Sequence, residues 1–284
     1  MKNTDAFREV ESLHTGMSVS DGAGVKLSRI LTQPLQQRLD PFLMLDEFGS
    51  DTPGDYIAGF PEHPHRGFET VTYMLEGRMR HRDSVGNEGV LGPGDVQWMT
   101  AGRGVVHSEM PEQAEGRMRG FQLWVNLPAR EKMTDPRYRG IAAADIPRLS
   151  PAPGVDVRLI AGMLDGQQGA VGGIATDPQY LDISLAEGTE VVLPVPEGYR
   201  AFLYVYEGRA LVGGNQRAVG KGTMAVLDHG PGRLAVWLRA QEASRLLLIA
   251  GRPIEEPIAQ WGPFVMNTRA ELEQAFNDYN NGLF

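Results

Sequence analysis

Four residues in this chain have types and spacings suited to holding a metal ion. His63 and His65 in "GFPEHPHRGF" stand two apart, and so do His107 and Glu109 in "GVVHSEM". Residues two apart in a strand share a face, so each pair aims together. Three neutral imidazoles and one carboxylate form a borderline donor set that suits Fe, Mn, Co, Ni, Cu or Zn. Four protein ligands leave an octahedral ion two open positions, a catalytic arrangement, whereas structural zinc sites are closed. Glu69 competes with Glu109. Carrying the odd-numbered register on from His65 passes Gly67, Glu69, Val71 and Tyr73, so Glu69 reads as sharing the face of His65. It could be a ligand, a base beside the metal, or a hairpin residue. The odd-numbered face is the more apolar beyond Glu69 and is expected to face the interior. His81 in "MRHRDS" reads as a surface or rim residue, and His14 and His229 as structural or solvated.

The elements that must position these groups are mostly strands. Thirty-five glycines and 19 prolines punctuate short runs such as "FETVTYML", "GFQLWVNL", "YRAFLYVYEG" and "SRLLLIAG", the pattern of many strands joined by tight turns. Helix signals are few. Thr268 and Glu271 make a capping box for a carboxy-terminal helix with Leu272, Phe276 and Tyr279 on one stripe, and "LPAREKM" predicts a second, short helix. The formal charge of −9 and the lack of a basic stripe argue against direct nucleic-acid binding. There is no cysteine, hence no disulfide or thiolate chemistry. No apolar run reaches the roughly 18 residues of a membrane span. The stretch "MKNTDAFREVESLHTG" lacks the apolar core of a signal peptide, so the expected location is cytoplasmic.

Two segments echo each other, "YMLEGRMRHRDSVGNEGVLGPGDVQWM" from Tyr73 and "YVYEGRALVGGNQRAVGKGTMAVL" from Tyr204. Each has a strand ending in Glu-Gly, a second strand, and a Gly-x-Gly turn into a third. Two copies of one β-fold are expected, with the boundary between Pro136 and Asp177, drawn here as domains 1–135 and 136–284. The steps from Tyr73 back to His63 and His65 lead from Tyr204 to Pro194 and Pro196. The steps from Gly94 forward to His107 and Glu109 lead from Gly222 to Ala235 and Trp237. Only the first copy keeps the metal-binding types.

A β-barrel with His-x-His, a downstream Glu, a Pro-Gly-Asp turn and a third His resembles the cupins, a jelly-roll class. The wording of "DPFLMLDEFG", "HPHRGFETVTYMLEG", "GPGDVQWMTAGRGVVHSE" and "GPFVMNT" resembles the pirin family over most of the chain. The resemblance implies an all-β fold of two tandem cupin (jelly-roll β-barrel) domains, with a few short helices and a carboxy-terminal helix. It implies one divalent transition metal, Fe(II) foremost, held by His63, His65, His107 and Glu109, and a second barrel without metal. Glu69 falls near the general cupin glutamate position, but the pirin pattern ranks Glu109 above it as ligand. Two activities are implied. One is a quercetin 2,3-dioxygenase-type oxidoreductase acting on a flat flavonol-like substrate and O2, with Glu69 or an unbound Glu109 as base and Phe60, Tyr73, Trp98 and Met99 facing the substrate. The other is an iron-dependent, redox-sensing regulator acting through protein partners.

Overall fold

The computed structural model describes residues 6–284. The first five residues, part of the stretch read above as lacking a leader's apolar core, lie outside the described residues. The first twelve strands are β1 (Val10–Thr15), β2 (Met17–Asp21), β3 (Val25–Leu31), β4 (Phe42–Ser50), β5 (Phe60–His65), β6 (Phe68–Glu76), β7 (Met79–Asp83), β8 (Glu88–Leu91), β9 (Val96–Thr100), β10 (Val105–Pro111), β11 (Met118–Asn126) and β12 (Arg137–Ile141). The chain divides into two compact units, each a pair of antiparallel sheets.

The first barrel holds residues 17–37, 41–143 and 254–284. Its large sheet runs β12-β9-β6-β11-β4-β3-β2 and its small sheet β5-β10-β7-β8. β6, "FETVTYMLE", shows why such segments become central strands: its aromatic and β-branched residues are buried from Phe68 to Met74, which a pleated sheet covered on both faces requires. A hairpin of Ala259–Trp261 and Phe264–Met266 and the helix α1 (Arg269–Asn280) complete this unit. The expected capping box is present at Thr268 and Glu271, and Leu272 and Ala275 are the buried residues of α1. The segment "LPAREKM" makes a single 3-10 turn, Ala129–Glu131, in place of the expected short helix.

The second barrel repeats the layout. Its large sheet takes β1, then Thr223–Leu227, Arg200–Glu207, Ser244–Gly251, Gln179–Leu185, Val155–Ala161 and Arg148–Leu149. Its small sheet takes Glu190–Pro194, Ala235–Ala240, Arg209–Val212 and Arg217–Gly220. Leucine, valine, isoleucine and alanine fill the space between them. Both units therefore have a seven-stranded and a four-stranded sheet in matching order, and the expected duplication and all-β jelly-roll class are what the structure displays.

The units are not the stretches 1–135 and 136–284. β1 pairs with Thr223–Leu227 in the second barrel, β12 pairs with β9 in the first, and residues 254–284 pack with the first barrel. A boundary drawn at one loop misses this, because each large sheet gains its edge strand from beyond the repeat.

The register of the repeat also shifts by one. Gly77 and Gly208 both turn at positive φ and anchor the comparison. Glu109 pairs with His81, and Leu238 with Val212 at the same step from the glycine. His107 and His63 then correspond to Val236 and Leu193, and His65 to Val195. Each connection is one residue longer in the second barrel than direct counting assumes, so Pro194, Pro196, Ala235 and Trp237 are not the equivalents. The true equivalents are all apolar core residues.

One glycine joins the two sheets of the first barrel. Gly67 sits between β5 and β6 at φ +87°, and a Cβ there would stand 2.0 Å from the Val265 carbonyl oxygen. Gly67→Ala is expected to cost more than about 2 kcal/mol. Gly54→Ala, at negative φ with open space around it, should stay within about 0.5 kcal/mol. Urea unfolding of both variants checks this.

Candidate metal centre

β5 and β10 are neighbours in the small sheet, and His107 pairs directly with His63. A bulge in β5 then sets Phe60, rather than Pro61, opposite Glu109. The His63 and His107 rings lie 4.3 Å apart between centroids, His63 and His65 4.8 Å, and His65 and His107 4.9 Å. One ring nitrogen from each of the three falls within 4.8 Å of the others, as do donor atoms of His81, His107 and Glu109. Of the sequence-derived residues, His63, His65 and His107 come together as one group, and Glu109 joins His107 and His81 in an adjoining group that shares His107.

The hydrogen bonds fix where the lone pairs point. His63 Nδ1 lies 2.8 Å from the Pro61 carbonyl; a carbonyl only accepts, so Nδ1 carries the proton and Nε2 is free to coordinate. The Pro263 backbone lies beside one nitrogen of His65 in a contact too poorly aligned for a full hydrogen bond, and the other His65 nitrogen and Nε2 of His107 have no protein partner, although all are buried. Orphaned nitrogens of this kind are costly unless something satisfies them, and a divalent metal would. Burial drives the pKa of both His65 and His107 well below 6.5, and the neighbouring imidazoles add to the effect. The rings are therefore neutral at physiological pH, the form that binds metal.

Glu109 is held from the large sheet. Thr72 Oγ1 donates to its Oε1 at 2.8 Å and Gln122 Nε2 to its Oε2 at 2.7 Å. These contacts identify the inner face of β6. Thr72 and, by alternation, Phe68 and Thr70 look toward the cluster; the Phe68 ring lies 5.0 Å from His65 and 4.3 Å from Trp124. The even-numbered face is inside, opposite to the sequence-based expectation. Gly67 is the reason: its positive φ makes a corner between two different sheets, and strand parity does not carry across it.

Glu69 accordingly falls on the far side of the large sheet and is corrected as a ligand or catalytic base. It accepts from Thr100 Oγ1 at 2.7 Å, and burial raises its pKa to about 7. That value alone would suit a general base, but a base must first be within reach of its proton. Tyr73 and Trp98 share its face and leave the substrate wall for the same reason. Met99 lies on the inner face but packs with Ala101 and Val105. Phe60 does line the cavity.

His81 is not a surface residue. It is 0% exposed and stacks on Tyr138 at 4.8 Å. Its Nε2 lies 3.3 Å from Asp83 Oδ2, and its Nδ1 lies 3.2 Å from Gln97 Nε2 and 3.4 Å from His107 Nδ1. With the Nε2 proton donated to Asp83, Nδ1 accepts, His107 donates through Nδ1, and His107 Nε2 is left unprotonated toward the cluster. The sequence did carry a signal for this, since His81 and Asp83 are two apart on a strand. His14 and His229 stand apart from the cluster.

A cavity of about 670 Å³ opens onto His63, His65 and Glu109. Trp124, Met44, Phe48 and Phe60 give it apolar walls, and Gln260 and Pro263 of the carboxy-terminal segment line it as well. Sequence reading passed over most of these. The larger hollow elsewhere, about 870 Å³ around Asp156 and Arg245, contains no such cluster.

Two matched double-sheet barrels, one with a histidine cluster at its inner wall, define a bicupin. The chain belongs to the pirin family: the pirin model matches residues 24–125 and the pirin C-terminal cupin domain residues 180–284. It is 53% identical over 98% of both chains to a Pseudomonas aeruginosa protein provisionally named quercetin 2,3-dioxygenase. It is 52% identical to a pirin-like protein of Caulobacter vibrioides, over 98% of this chain and 99% of that one. The crystal structure of a quercetin 2,3-dioxygenase from Acinetobacter baumannii matches with a TM-score of 0.92 at 37% identity, covering 98% of this chain and 99% of the other.

The depressed imidazoles bear on stability. In metal-free protein the unfolded chain takes up protons near pH 6.5 while folded His65 and His107 remain neutral. Their favourable contribution is complete above that pH and is lost as pH falls through 6.5 toward the folded values. Stability should drop below pH 6.5 by up to about 1.4 kcal/mol per pH unit for each imidazole. Urea titrations from pH 7.5 to 5 check this, and a flat profile would contradict the neutral, buried state.

Proposed function

We propose that this chain is a metal-dependent dioxygenase that opens flavonols such as quercetin with O2. The observation that carries the proposal is the set of three converging imidazoles, with Glu109 beside His107, on the wall of a cavity of about 670 Å³ with aromatic sides. Such a volume suits a ligand of a few fused or linked rings. The names borne by the relatives support the same reading.

His63, His65, His107 and Glu109 would hold one divalent transition metal, Fe(II) foremost, with Mn, Ni, Co, Cu or Zn also matched by the donor set. Once bound, that metal supplies Lewis acidity and, if redox-active, a route for O2 to react with the substrate. The remaining work belongs to the chain. Glu109 lines the cavity beside His63 and His65, and an unbound Glu109 can take the proton of the substrate's 3-hydroxyl. Thr72 and Gln122 keep its two oxygens aimed. Trp124, Phe60, Met44 and Phe48 exclude water around a flat ring system.

Oxygen uptake with quercetin, using metal-stripped protein reloaded separately with Fe(II), Mn(II), Ni(II), Co(II) and Cu(II), tests the proposal. Uptake should depend on metal, vanish in His63→Ala, and stay within about twofold in Glu69→Gln, because Glu69 lies across the sheet. Absence of uptake with any metal, despite stoichiometric binding, would overturn it and favour a redox-sensing protein that acts through partners. A separate titration addresses the support of His107. His81→Asn should weaken metal binding about 10- to 100-fold, and an unchanged dissociation constant would remove His81 from the centre.

A further inference from the structure

Five inward positions cross the large sheet of the first barrel as successive cross-strand partners: Arg29, Asp46, Gln122, Thr72 and Gln97. The last three bond to Glu109 or His81. Arg29 and Asp46 bond to none of the cluster residues, yet both line the cavity. The equivalent row of the second barrel is Leu159, Leu181, Leu248, Leu203 and Ala225, all in its core. The fold therefore closes well with hydrocarbon at these places. Replacing it by an ion pair in which Asp46 is buried and Arg29 only half-buried gives little stability in itself, so the pair calls for a functional account.

Its geometry supplies one. Arg29 Nε and Nη2 donate to the two oxygens of Asp46 at 3.0 and 2.7 Å, and Nη2 also reaches Asp21 at 2.8 Å. Among the described residues nothing accepts from Nη1. Arg29 stands two strand spacings from Gln122, roughly 10 Å, which is more than one aromatic ring spans. The charges lining the cavity are also unequal. Asp21, Asp46, Glu62 and Glu109 face one guanidinium, Arg29. A divalent ion in the cluster would still leave the lining net negative.

We propose that Arg29 and Asp46 form a second binding point for neutral hydroxyl groups on the aromatic ring remote from the metal. A phenolic hydroxyl there accepts from Arg29 Nη1 and donates to a spare lone pair of Asp46. The ligand class is an uncharged polyphenol of two or more linked rings, hydroxylated at both ends, and aromatic carboxylates are disfavoured by the acidic lining. For its metal-binding end the proposal rests on the dioxygenase reading.

Equilibrium binding to the metal-loaded protein without O2, followed by quenching of tryptophan fluorescence, tests it independently of turnover. Quercetin, with two hydroxyls on its remote ring, should bind at least about tenfold tighter than galangin, which has none there. A flavonol with a carboxylate on that ring should bind more weakly than galangin. Arg29→Gln strands Asp46 in the barrel, so the decisive variant is the double change Arg29→Leu/Asp46→Leu, which copies the leucine pair of the second barrel. It should lose the preference, binding quercetin no tighter than galangin. Equal binding of the two flavonols by wild type, a preference surviving in the double variant, or no flavonol binding at all would each overturn the subsite. Preferential binding without oxygen uptake would uphold the subsite and remove the dioxygenase reading. Uptake with indifferent binding would do the reverse.

Discussion

Desolvation of the imidazoles is the constraint on which the first barrel depends. His65 and His107 are buried, and His107 Nε2 has no protein partner, which a folding chain tolerates only where the surrounding frame is stiff enough to prevent collapse or rearrangement. Two adjacent strands of the small sheet carry the donors, and the large sheet reaches across to hold them. Thr72 and Gln122 fix Glu109, and Gln97 meets His81, which in turn orients His107. Each of these helpers is itself on a central strand, so its side chain is located by the ladder rather than by a loop.

The second barrel shows what the same frame looks like without that constraint. Strand order and pairing repeat, but the positions of His63, His65, His81, His107 and Glu109 are taken by Leu193, Val195, Val212, Val236 and Leu238. Side chains of this kind pack into a continuous core and contribute to stability through buried apolar area. The first barrel gives up part of that core for an open cavity and a polar row. One copy of the fold keeps a continuous apolar core while the other carries the histidine cluster and the polar row, a division visible in paired positions rather than in overall composition.

Much of this was legible in the chain. The two i, i+2 pairs marked the cluster because strand geometry converts that spacing directly into a shared face. The repeat was legible because glycine turns recur at matching steps. What failed did so where local rules stop. Parity counted through Gly67 put Glu69, Tyr73 and Trp98 on the wrong face, since a left-handed glycine joins two sheets rather than continuing one strand. His81 looked peripheral because its charged neighbours Arg80 and Arg82 point the other way from it, as strand alternation demands. Arg29 and Asp46 could not be paired from sequence at all, because cross-strand register depends on bulges such as the one between Arg29 and Leu31. The edge strands were misassigned because pairing across a long sequence separation leaves no local mark.

The carboxy-terminal segment shows how far such pairing reaches into the site. The pirin C-terminal model spans residues 180–284, yet residues 254–284 pack in the first barrel. Arg66, between His65 and Gly67, bonds through Nη1 to Asp278 at 2.7 Å, and its guanidinium lies 4.4 Å from the centre of the Phe284 ring. Val265 N–H donates to the Arg66 carbonyl at 3.0 Å. Buried Lys132 places its ammonium among the Gly67 carbonyl, the Val265 carbonyl and Asn126 Oδ1, at 2.8, 3.0 and 2.6 Å, which satisfies all three of its protons. The corner that aims His65 is thus tied to residues some two hundred positions later in the chain, and the same segment sets Gln260 and Pro263 into the cavity wall. A histidine pair read from a ten-residue stretch, Gly59 to Phe68, is tied down by residues 254–284.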